Sequence, residues 1–149
     1  MAGGQGRGVN QLIAGALQAI DEITFDFVSS DPNQCIQICG ESVRTLLTAF
    51  IRRRGDAVQD VQELAALQTL AIAAGLDDFQ VLGQQLLVVA YAEEDLQSGD
   101  ENVLVPAAIQ ALIASMQIAN ILADAGLMER RNFINRNNLE NKLRSLNGE

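Results

Sequence analysis

Apolar side chains recur at three- and four-residue spacing along most of this chain, in blocks that open at Asp or Asn and close at Gly. That period is helical, because residues three and four apart share one face of an α-helix. The clearest block begins in "SSDPNQCIQIC", residues 29–39. Asp31 stands where a carboxylate can accept from an unpaired backbone N–H, with Gln34 three residues on, and Pro32 takes the first helical position, where its missing N–H costs nothing. From there Ile36, Cys39, Val43, Leu46, Leu47 and Phe50 form one apolar face. Arg52, Arg53 and Arg54 then complement the negative end of the helix, and Gly55 is its expected left-handed stop.

The same reading covers the rest of the chain. Asn10 is expected to cap a first helix carrying Leu12, Ile13, Leu17, Ile20 and Ile23, after a flexible glycine-rich tip over 1–9. After the link "TFDFVSS" and the Asp31 helix, a third helix is expected from Asp56, with Val58, Val61, Leu64, Ala65 and Leu70, to Gly75. A fourth opens at Asp77 or Asp78 and turns Phe79, Leu82, Leu86, Leu87 and Val89 inward. The longest apolar helix runs over 102–124, where Pro106 is tolerated only if it lies in the first turn, and Gly126 is its end. The tail "LMERRNFINRNNLENKLRSLNGE" is locally basic and reads as a turn and a short helix. Two Pro and 4% aromatic residues, against abundant Ala, Leu, Ile and Gln, favour helix throughout. The expectation is a single all-α domain over 1–149, an antiparallel four-helix bundle with short additional terminal helices.

Charge and composition narrow the function. A net charge of −9 argues against a general nucleic-acid binder but leaves local cationic patches open. No run approaches the roughly 18 apolar residues of a membrane span, and "MAGGQGRGVN" lacks a signal-peptide layout, so no membrane partner and an intracellular site of synthesis are expected. Histidine is absent, which removes the commonest general base and zinc ligand. No nucleophile, base and orienting group occur together, so no catalytic residue, enzyme activity or cofactor is expected. Cys35 and Cys39 lie one helical turn apart; two thiols alone cannot complete a zinc shell, and a disulfide inside a regular helix is geometrically poor. They read as buried thiols, and no metal is expected there.

Two charged groups remain as candidates. Arg52, Arg53 and Arg54 can bind phosphate or simply complement a helix end. Glu93, Glu94, Asp95, Asp100 and Glu101 surround Gly99 in "EEDLQSGDEN", either a solubilising turn between antiparallel helices or a carboxylate switch.

Two motifs and the order of helices resemble the coat proteins of rod-shaped plant viruses of the tobacco mosaic virus type. "FDFVSSDPNQCIQIC" is similar to that family's N-terminal segment, through Asp31, Pro32, Ile36, Ile38 and Cys39. "IANILADAGLMERRNF" resembles its last core helix and ending, through Gly126, Arg130 and Phe133. Ala90 and Tyr91, followed by the acidic segment, resemble the end of a bundle helix and its inner loop. The matched segments cover about a third of the chain. The resemblance implies a structural coat protein of the virion and host cytoplasm, a homo-oligomer forming helical filaments or discs around single-stranded RNA. Where the family carries phosphate-binding arginines this chain has Glu93, Glu94 and Asp95, so the cations left for RNA are Arg44, Arg52, Arg53 and Arg54. By the same resemblance the five carboxylates would tighten assembly when protonated or bridged by calcium. The alternative is a non-catalytic helical interaction module of the nucleotide-binding antiviral type, suggested by "CGESVRTLLTAFIRRRG".

Overall fold

A computed structural model of the chain describes residues 2–54, 63–76 and 79–125. All regular structure among them is α-helical, as the spacing predicts. Six helices follow one another: α1 (Ala2–Asp21), α2 (Phe25–Ser30), α3 (Pro32–Arg53), α4 (Leu64–Ala73), α5 (Phe79–Asp95) and α6 (Glu101–Asp124).

Local chemistry sets most of the boundaries. Asp31 Oδ1 accepts from the Gln34 N–H at 3.1 Å and Pro32 opens α3, as expected. The expected stop at Gly55 and the helix start at Asp56 lie outside the described residues; α3 ends with Arg54 as its C-cap. The link before it is itself a helix. Thr24 Oγ1 accepts from the Phe27 N–H at 3.1 Å, and the Asp31 N–H closes on the Phe27 carbonyl at 2.8 Å, which winds the six residues of α2 and buries Val28. Asn10 is not a cap, because the backbone of α1 is helical from Ala2. Extending a formed helix adds one hydrogen bond for each residue fixed, so a nucleated α1 propagates through the glycine-rich start that was expected to be a flexible tip.

Gly75 ends α4 as expected, with φ +105. Its N–H meets the Ile72 carbonyl at 3.0 Å and the Leu76 N–H meets the Ala71 carbonyl at 3.2 Å, the paired closure that only a left-handed residue allows. The expected openings at Asp77 or Asp78 lie outside the described residues, as do Gly126 and the basic tail. α6 begins one residue earlier than expected, since Asp100 caps it by accepting from the Asn102 N–H at 3.0 Å. Pro106 consequently falls in the second turn, not the first. Its ring deprives the Asn102 carbonyl of a partner, and both residues are exposed, so water can serve that carbonyl.

The centre of the molecule is α3 against α6. Cys35 Sγ lies 3.8 Å from the Ala108 carbonyl and Arg54 Nη2 donates to the Ala125 carbonyl at 2.7 Å, so the two helices run parallel. Phe50, Ile36, Leu46 and Leu47 from α3 and Leu112, Met116, Ile118 and Leu122 from α6 are essentially sealed from water. Each such side chain stabilises the fold by about 1.5–3 kcal/mol. α1 packs on α3 and α5 on α6. α4 bridges α3 and α5. By length and composition α6 is able to cross a membrane, contrary to the expectation that no segment is, yet it is the central core helix and 50% of its apolar window is buried within the fold.

Replacing Gly75 with Ala forces a Cβ into the left-handed region and is expected to cost about 1–2 kcal/mol. Thermal unfolding followed by circular dichroism reads this as a Tm lowered by several degrees.

Candidate functional site

Arg44 sits at the middle of α3 and Glu93 in the last turn of α5. The guanidinium and carboxylate meet in a two-pronged pair, Nη1 to Oε2 at 2.7 Å and Nη2 to Oε1 at 2.8 Å. Both side chains are about three-quarters sheltered from water. The space for them comes from Gly40, one turn before Arg44. A Cβ built at Gly40 would overlap Glu93 Oε2 and stand 2.9 Å from Arg44 Nη1. The absence of a side chain at one helical position thus admits an ion pair between two helices. Of the residues singled out from sequence, Arg44 is thus paired with a carboxylate of its own chain, and Glu93 has its charge matched by Arg44.

Arg54 is likewise used internally. It caps the last turn of α6 through Ala125, where carbonyls lack helical partners, and its guanidinium lies 5.1 Å from the centre of the Phe50 ring. Arg52 and Arg53 are exposed at the end of α3, and Arg53 is itself engaged in an interaction there. The acidic segment is less of a turn than expected. Glu94 and Asp95 belong to α5, Asp100 caps α6, and Glu101 is in its first turn. Only 96–100 connects the helices, with Gly99 at φ +68.

Asp31 caps α3, Asp100 and Glu101 stand at the start of α6, and Glu94 and Asp95 close α5 next to the pair made with the middle of α3. The end of α3 holds Arg52, Arg53 and Arg54, and Asp124 closes α6 beside them, so that end carries both signs of charge.

Cys35 and Cys39 are free and fully buried, as their place on the apolar stripe predicts. The Cys35 thiol is pushed well above its usual range, first by hydrogen bonding to Cys39 and then by burial. Among the described residues, no three metal-ligating side chains converge.

The feature that the spacing misassigned is on α5. Leu82, Leu86 and Val89 are buried as expected, but Leu87 is 55% exposed, Tyr91 60% and Val81 43%. Leu87 and Tyr91 are one turn apart on the same outward ridge. In "VLGQQLLVVAY" the apolar residues span more of the circumference than one core-facing stripe needs, and that excess is the sequence signal for a second apolar face. The chain matches no protein-family model, and no curated protein or solved structure is significantly similar to it.

Two substitutions separate the glycine roles. Gly40→Ala is expected to displace the Arg44 and Glu93 pair and lower Tm. Gly15→Ala, whose Cβ meets nothing within 4 Å on the exposed side of α1, is expected to raise stability by up to about 1 kcal/mol. Differential scanning calorimetry of both variants checks the opposite signs. A disulfide-exchange reagent is expected to find both thiols silent in the folded protein and both reactive in guanidinium; rapid labelling of the native chain would contradict their burial.

Proposed function

We propose that this chain is a structural subunit, a coat protein that assembles with copies of itself into helical rods or discs around single-stranded RNA. The observation that carries this reading is the outward face of α5: a helix whose inner side belongs to the core turns Leu87, Tyr91 and Val81 to solvent. Leu87 and Tyr91, one turn apart on one ridge with Val81 on an adjoining face, suit contact with another macromolecule better than contact with water.

The finer architecture belongs to the same proposal. α1, α3, α5 and α6 are the long members of an antiparallel four-helix bundle, and α2 and α4 are short additions. The parallel course of α3 and α6 suits diagonal members of such a bundle, and α1 with α3 and α5 with α6 supply antiparallel neighbours. A brick of this kind presents its working chemistry on its flanks. Contacts between unlike flanks do not close and can grow into a filament.

For RNA, the structural cations in support are Arg52 and Arg53, exposed beyond the core at the end of α3. The chain that follows Ala125 adds Arg130, Arg131, Arg136, Lys142 and Arg144, residues outside those described. A local row of cations is enough to hold phosphates while the acidic remainder meets other subunits. The carboxylates that could regulate assembly are Glu93, which Arg44 holds, Glu94, Asp95, Asp100 and Glu101. This reading places the protein in the virion and the host cytoplasm, with no catalytic step.

Sedimentation and negative-stain imaging of the purified protein test it together with the absorbance ratio at 260 and 280 nm. One Tyr and no Trp leave little protein absorbance, so bound RNA would dominate the spectrum. Rods or discs are expected, longer when the pH falls from about 8 to about 5.5 as clustered carboxylates take up protons. A particle of one or two subunits under all these conditions would instead favour an interaction module.

A further inference from the structure

We draw no further inference here: the strongest candidate, the exposed ridge of Leu87 and Tyr91 on the outer face of α5, belongs to the surface already read as an assembly contact, and nothing in the structure shows what covers it.

Discussion

The parallel packing of α3 on α6 is the constraint from which the other positions in this molecule follow. These two helices contribute the largest sealed side chains, and their register is held near both ends, by Cys35 beside Ala108 and by Arg54 on Ala125. Apolar burial supplies the attraction but little direction. The Arg54 contact adds direction, because a guanidinium placed on a terminal carbonyl fixes how far one helix slides along the other. With α3 and α6 set, α1 packs along α3 and α5 along α6.

Polar contacts then act as locators on this apolar frame. The Arg44 and Glu93 pair joins α3 to α5, and it exists because Gly40 leaves a gap of the right size between the helices. A pair of this kind, still partly open to water, contributes on the order of 1 kcal/mol, small beside the core. Its larger consequence is subtraction. It ties one cation and one carboxylate to each other, and Arg54 is tied to the end of α6, so the outer surface is not the sum of the charges in the sequence.

That outer surface explains why reading single residues by type misjudged several of them. Arg44 and Glu93 each look like surface charges in a linear chain, since nothing near either in sequence announces a partner 49 positions away. Leu87 has the spacing of a core residue, yet α5 has neighbours on one side only, and an apolar arc wider than that side must spill outward. Pro106 invites placement in a first turn, but Asp100 competes successfully as the cap and shifts the register. In each case a contact between helices, or the lack of one, decided against a sound local preference.

Helix content, the Asp31 and Pro32 start of α3, the Gly75 stop and the burial of Cys35 and Cys39 were all set by the sequence itself, because caps, left-handed glycines and apolar periodicity act within a turn or two of chain. The pairing of Arg44 with Glu93, the use of Arg54 as a cap and the outward turn of Leu87 and Tyr91 were decided only by tertiary structure. The physical reason is range: these features depend on which helix faces which and in what direction, and no local spacing encodes that.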